Sequence, residues 1–203
     1  MTKAKDKLRI AILASTSGSD LPAIFAMDRN HYNFVFLLTN KEHAPCREKA
    51  ENANVPDIFL DATGKSREEY DEEILQLLEK EKIDLVILVG WMRILSSKLV
   101  RAYLGRMINV HPSLLPAFPG GMDTNVHEEV LKAGIKKTGV TIHFVTENLD
   151  EGPIILQKSC SVDANETVDS LKAKVQKLEQ EMFPEVIRMF RMGKIHMSDI
   201  IPS

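Results

Sequence analysis

The sequence predicts an α/β fold: a mostly parallel central sheet with helices on both of its faces. Three observations carry that prediction. Near-continuous apolar runs at Leu8 to Ala14 and Ile83 to Gly90 have the composition of strands buried on both faces, as a parallel sheet requires. Helical patterns separate the strand-like runs through the first half of the chain, which is the alternation of a βαβ fold. No repeat, low-complexity tract or linker divides the sequence, so residues 1–203 read as a single domain.

Taken in order, the first strand, Leu8 to Ala14, stops at Ser15-Thr16-Ser17-Gly18-Ser19-Asp20, and a helical pattern (Leu21, Ile24, Phe25) follows with Pro22 in its first turn. A small-residue loop between a strand and a helix gathers backbone N–H groups where an anion can approach. The same residues also suit a tight turn with Asp20 as helix cap, and both readings stand at this point. Phe34 to Thr39 reads as the second strand and Ala44 to Asn54 as the second helix, closed by Val55-Pro56. From Ser66 to Lys82, Tyr70, Ile74, Leu77 and Leu78 form one apolar stripe behind a Ser66/Glu69 capping box. Trp91-Met92-Arg93-Ile94-Leu95 follows the strand Ile83 to Gly90 at its carboxyl end, the edge of an open α/β sheet where ligands bind.

A short helix, Ser97 to Leu104, leads to a strand from Arg106 to His111. Beyond a Pro- and Gly-rich loop that includes Pro116 to Asn125, a helix spans Asn125 to Gly134 and an alternating strand Thr138 to Val145. Thr146 to Pro153 is a loop containing Asp150 and Gly152, and Ile154 to Val162 is the last strand. Glu166 to Met192 is a long amphipathic helical region in which Pro184 is expected to force a kink or a second start.

The chemistry concentrates where the strand ending at His111 meets Pro112. Alternate residues of a strand share a face, so Asn109 and His111 project together while Ile108 and Val110 face the core. Pro112 holds His111 extended and ends the strand. An amide can donate to an oxygen that gains charge, an imidazole moves protons near neutral pH, and a carboxylate such as Asp150 raises the pKa of an imidazole beside it. Together they suit acyl-type transfer to an amine, or hydrolysis. His143, in mid-strand, reads as a packed supporting residue.

The formal charge of −3, with Lys and Arg interspersed among Asp and Glu, argues against a nucleic-acid partner. Cys46 and Cys160 form no CxxC, and no metal-ligand set is present in the sequence, so a reducing compartment without a metal centre is expected. The charged N-terminus and short apolar runs point to a cytoplasmic protein with no membrane span.

Asn109-Val110-His111-Pro112-Ser113-Leu114-Leu115-Pro116, Gly90-Trp91-Met92-Arg93-Ile94-Leu95, and His143-Phe144-Val145 with Leu149 to Gln157 resemble the folate-dependent formyltransferase family. Within it, the Ser15 to Leu21 loop and the length are similar to members that act on glycinamide ribonucleotide. The resemblance implies a Rossmann-like formyltransferase fold and a formyl group carried from 10-formyltetrahydrofolate, as co-substrate, to the amine of glycinamide ribonucleotide. It implies His111 as acid/base, Asp150 as the residue that raises its pKa, and Asn109 as donor to the formyl oxygen. Gly18, Ser19 and Asp20 match the loop that holds the ribonucleotide phosphate, and Gln176 and Glu179 match positions that contact the ribonucleotide. Met92, Arg93, Ile94 and Leu95 match the pterin-side segment of the folate site, with Val100, Met107 and Val145 as apolar walls and Arg67 as a basic position for a carboxylate. The family carries Asn where this chain has Asp20, a carboxylate that suits a phosphate site only by turning away to cap the helix. A monomer or homodimer is expected. A formyltetrahydrofolate hydrolase, another formyltransferase, or a non-catalytic folate- or nucleotide-binding module are the alternatives.

Overall fold

The computed structural model describes residues 7–120 and 123–195, with the backbone alone for 123–125; residues 121 and 122 of the expected loop lie outside the described set. The chain runs β1 (Leu8–Ala14), α1 (Leu21–Phe25), β2 (Tyr32–Thr39), α2 (Cys46–Asn52), β3 (Asp57–Phe59), α3 (Arg67–Lys80), β4 (Leu85–Val89), α4 (Ser97–Ala102), β5 (Met107–His111), α5 (Asp123–Lys132), β6 (Lys137–Phe144), β7 (Ile154–Ser161) and α6 (Val168–Arg191). The strands form one seven-stranded sheet in the order β3-β2-β1-β4-β5-β6-β7. Pairings from β3 through β5 are parallel, and β5–β6 and β6–β7 are antiparallel. The sheet is mostly parallel, as expected, with an antiparallel margin on the side that carries Asp150.

The period-two pleat sorts successive residues of each central strand into opposite cores. Ile10 and Ile12 of β1, Ile87 of β4 and Ile108 of β5 join a core completed by α1, α2, α5 and α6. Ala11, Leu13, Val86, Leu88 and Met107 face the other way, onto Tyr70, Ile74 and Leu78 of α3 and Leu99 of α4. Helices therefore cover both faces. The capping box of α3 forms as expected, with Glu69 N–H donating to Ser66 Oγ at 3.2 Å and Ser66 N–H donating to Glu69 Oε2 at 2.9 Å.

Two local expectations are corrected and one element is added. Pro184 starts no second helix: α6 runs unbroken from Val168 to Arg191. Pro184 removes only the bond to the Gln180 carbonyl, and the buried Phe183, Val186 and Ile187 hold the helix to the sheet on both sides of it. Asp20 occupies the position before α1, but its side chain makes no capping hydrogen bond. Its own φ of −88° and ψ of −16° are already helical, whereas a capping side chain needs extended geometry to reach forward. The three-residue β3, absent from the sequence reading, is held at the sheet edge by pairing with Leu37 to Thr39.

Candidate active site

In the strand order, β1 and β4 are neighbours, yet β1 is followed by α1 on one face and β4 by α4 on the other. That divergence opens a crevice outside the carboxyl ends of the central strands. A cavity of about 310 Å³ lies there, lined by the segments that follow β1, β4 and β5, with Leu149 and Asp150 and with Gln176 and Glu179 of α6.

At the exit of β5 the sequence expectation for Asn109 and His111 holds. Both line the cavity, as does Val110, which also packs against the core that holds Ile108. Asn109 pairs in register with His143 on β6, and His111 with Thr141. Asp150 enters from the β6–β7 loop at a φ of +55°, a conformation uncommon for a residue other than glycine. Its Oδ2 lies 3.3 Å from His111 Nδ1 and its Oδ1 3.5 Å from His143 Nε2, with the carboxylate almost fully buried. The Gly120 N–H donates to Asp150 Oδ2 at 2.8 Å. Gly152 makes the tight loop possible, because a Cβ there would sit 1.7 Å from the Phe144 carbonyl oxygen.

His143 contributes more than packing. Its Nδ1 lies 2.9 Å from the Phe144 carbonyl, and its Nε2 faces both Asn109 Nδ2 at 3.3 Å and Asp150 Oδ1 at 3.5 Å. His143 thereby holds the Asn109 amide in place at the cavity. On His111, Nε2–H donates to the Phe118 carbonyl at 2.7 Å, the Nδ1 side facing Asp150.

Burial pushes the His111 pKa down, while the Asp150 carboxylate and the Phe118 carbonyl push it up; burial prevails, and the ring sits below the ordinary histidine value. The expectation that Asp150 raises this pKa thus describes one contribution and not the net direction. Burial pushes Asp150 itself up, but its bond with His143, the charge of His111 and the Gly120 N–H outweigh burial and hold it below the usual carboxylate range. A neutral imidazole beside an ionised, buried carboxylate can accept a proton and have the resulting cation stabilised.

The segment after His111 is tied to the sheet. Thr141 Oγ1 donates to the Ser113 carbonyl at 2.7 Å and accepts from the Leu115 N–H at 3.0 Å, and Gln157 Nε2 donates to the Leu115 carbonyl at 2.9 Å. Ser113 Oγ donates to the Ala117 carbonyl at 2.5 Å, an ordering bond. These contacts fix the backbone on which His111 turns out of the strand.

On the β1 side, Gly18, Ser19 and Asp20 line the cavity together with Gln176 and Glu179, which stand three residues apart on one face of α6. Gly18 has a φ of +61°, and a Cβ there would meet Leu21 Cδ1 at 2.4 Å. On the β4 side, Met92, Arg93 and Ile94 line the cavity. Met92 N–H donates to Ser15 Oγ at 3.1 Å, which joins the two loops. The Arg93 guanidinium stacks 4.6 Å from the Tyr70 ring centroid, and Trp91 stacks on the same tyrosine at 6.5 Å. The buried Asp71 carboxylate accepts from the Ser96 N–H at 2.5 Å and, pushed up by burial, sits above its usual pKa.

Five residues from the expected set lie outside the cavity lining. Met107 is fully buried in the core beneath the site, and Leu95 and Val145 pack against that core. Val100 borders a separate depression with Leu104 and Thr146. Arg67 is half exposed at the start of α3 and pairs with Glu68 at 3.0 Å. Sequence reading missed Ser15, Tyr70 and Asp71, whose roles arise from contacts across the sheet's carboxyl edge; Tyr70 and Asp71 looked like ordinary parts of an amphipathic helix.

A doubly wound sheet carrying an Asn/His/Asp set at its carboxyl edge defines a class. Residues 8–187 match the family model described as formyl transferase, and the chain belongs to that family. It is 38% identical over 196 residues to the phosphoribosylglycinamide formyltransferase of Escherichia coli (strain K12), covering 95% of this chain and 91% of that relative. It is also 38% identical over 197 residues to the trifunctional purine biosynthetic protein adenosine-3 of Bos taurus, covering 95% of this chain but spanning only 19% of the relative's length. Among solved structures, glycinamide ribonucleotide transformylase 1 from Symbiobacterium toebii superposes with a TM-score of 0.89 at 34% identity, covering 95% of this chain and 92% of that one.

Proposed function

We propose that this protein transfers the formyl group of 10-formyltetrahydrofolate to the amine of glycinamide ribonucleotide, a reaction of purine biosynthesis. One observation carries the reading: the Asn109, His111 and Asp150 set shares a single cavity with the Gly18–Ser19 loop on one side and the Met92–Ile94 segment on the other. A formyl donor and a phosphorylated amine can therefore meet at the same imidazole. The names of the relatives in E. coli and S. toebii support the same substrates.

The residues divide the work as follows. Ile94 and Leu149, both at the cavity and 62% and 57% exposed, offer apolar surface to the folate ring system. As the amine nitrogen bonds to the formyl carbon, the formyl oxygen gains negative charge, and the Asn109 amide donates to it. His111 takes a proton as the nitrogen loses one, Asp150 stabilises the imidazolium, and the proton passes to the folate N10 as its bond to the formyl carbon breaks, which releases tetrahydrofolate and the formylated amine. Gln176 and Glu179 contact the ribonucleotide, whose phosphate sits on the Gly18–Ser19 loop.

The test follows loss of a 10-formylfolate analogue with and without glycinamide ribonucleotide. Turnover that requires the amine is the expected result. Turnover at the same rate without it would make the protein a hydrolase, and binding of both compounds without turnover would make it a binding module.

A further inference from the structure

The loop between β1 and α1 presents three consecutive peptide groups whose carbonyls are all held by side chains from other elements. Lys49, in α2, donates through Nζ to the Ser17 carbonyl at 2.7 Å and the Gly18 carbonyl at 3.2 Å. Gln180, in α6, donates through Nε2 to the Ser19 carbonyl at 3.1 Å. Neither Lys49 nor Gln180 lines the cavity, whereas Ser17, Gly18, Ser19 and Asp20 all do. In a trans peptide the N–H points opposite the carbonyl. Carbonyls drawn back toward Lys49 and Gln180 therefore turn the N–H groups of Gly18, Ser19 and Asp20 the other way, onto the cavity side.

We propose that Lys49 and Gln180 are positioning residues for substrate phosphate: they lock the orientation of these three peptide groups, so that the loop meets a phosphate monoester with its donors already aligned. This rests on the substrate reading above and extends it to two side chains that do not touch the substrate. Without the Lys49 ammonium, two carbonyls lose their charged partner; the Gly18 carbonyl keeps the Leu21 N–H at 3.2 Å, but the Ser17 peptide can flip and present an oxygen to the anion, which repels it. The ammonium also places a positive charge behind the loop, an attraction that salt screens. Gln180 is one residue along from Glu179, so α6 supplies cavity-lining residues and a loop anchor from a single turn.

The experiment measures inorganic phosphate binding by calorimetry and steady-state kinetics on the full chain, for wild type, Lys49→Met, Lys49→Arg and Gln180→Leu. Lys49→Met is expected to weaken phosphate binding about tenfold and to raise KM for glycinamide ribonucleotide by a similar factor, with kcat and KM for the formyl donor little changed. Lys49→Arg, which can donate to both carbonyls, should recover most of the loss. Gln180→Leu should lose about threefold and decides the matter alone if Lys49→Met fails to fold. Phosphate binding unchanged in Lys49→Met, a fall in kcat at constant KM, an arginine variant no better than methionine, or a wild type that binds no phosphate would each overturn the proposal. A wild type that binds phosphate but turns over no glycinamide ribonucleotide would defeat the substrate reading and leave the loop's phosphate role standing.

Discussion

Asn109 and His111 sit two residues apart on β5, and the pleat puts both side chains on the face opposite Ile108. That much was legible in the sequence, because period-two geometry is local. The reach of Asp150 was not, since it depends on an antiparallel strand pair, a left-handed backbone at residue 150 and the close approach of Gly152 to Phe144. The net pKa of His111 was likewise beyond the sequence: a nearby carboxylate is visible as a residue type, but burial is a property of the fold. At this scale two outcomes are expected. Asn109→Ala should lower kcat by about 10²- to 10³-fold with a small change in substrate KM, because its donor acts on charge that develops during reaction. In a profile of kcat/KM against pH, the acidic limb reports protonation of His111 in the free enzyme and should fall below the ordinary histidine value. Asp150→Asn removes an upward push on that pKa, so the limb should move further toward acid; movement toward neutral pH would contradict the assignment.

Each strand and helix whose pattern was sustained appears in the fold, within a few residues of its expected ends. What escaped were elements whose existence is decided by partners. β3 has three residues and no apolar run of its own, and its place follows from the edge of β2. α6 continues through Pro184 because Phe183, Val186 and Ile187 bury their side chains, which outweighs one missing backbone bond. The β6–β7 loop gives the sharpest prediction at this scale. Gly152→Ala would drive a methyl group into the Phe144 carbonyl at 1.7 Å. The loop must move, so the variant should lose both melting temperature and kcat, with the separation of Asp150 from His111 and His143 visibly increased in a crystal structure of the variant. Phe183→Ala should instead cost about 3–5 kcal/mol of stability, measured by denaturant unfolding, with the kinetic constants of the folded fraction unchanged.

Across the whole molecule, function follows from where the strand order reverses. Helices leave β1 and β4 toward opposite faces, and the crevice between them collects a loop suited to an anion, an apolar segment and an Asn/His/Asp set. The alternation of strands and helices made that architecture readable, and the resemblance of three motifs made its chemistry readable. The ties between the loops (Ser15 to Met92, Lys49 to Ser17, Gln180 to Ser19) join residues up to 161 positions apart and have no sequence signature. The buried pair also shapes global stability. His111 resists protonation in the folded state, whereas the unfolded chain takes up its proton near the ordinary histidine value. Stability is therefore full above that value and falls as the pH drops through it toward the folded pKa. Asp150, depressed in the fold, adds stability that is lost at still lower pH. The melting temperature should decline between about pH 7 and pH 5, and less steeply in His111→Asn, as calorimetry would record.

The direct test of the catalytic assignment is the rate of amine-dependent formyl transfer in His111→Ala against wild type, with folding matched by circular dichroism. A fall in kcat of about 10²- to 10⁴-fold at nearly constant KM for both substrates is the expected result. Full activity in the variant would contradict it.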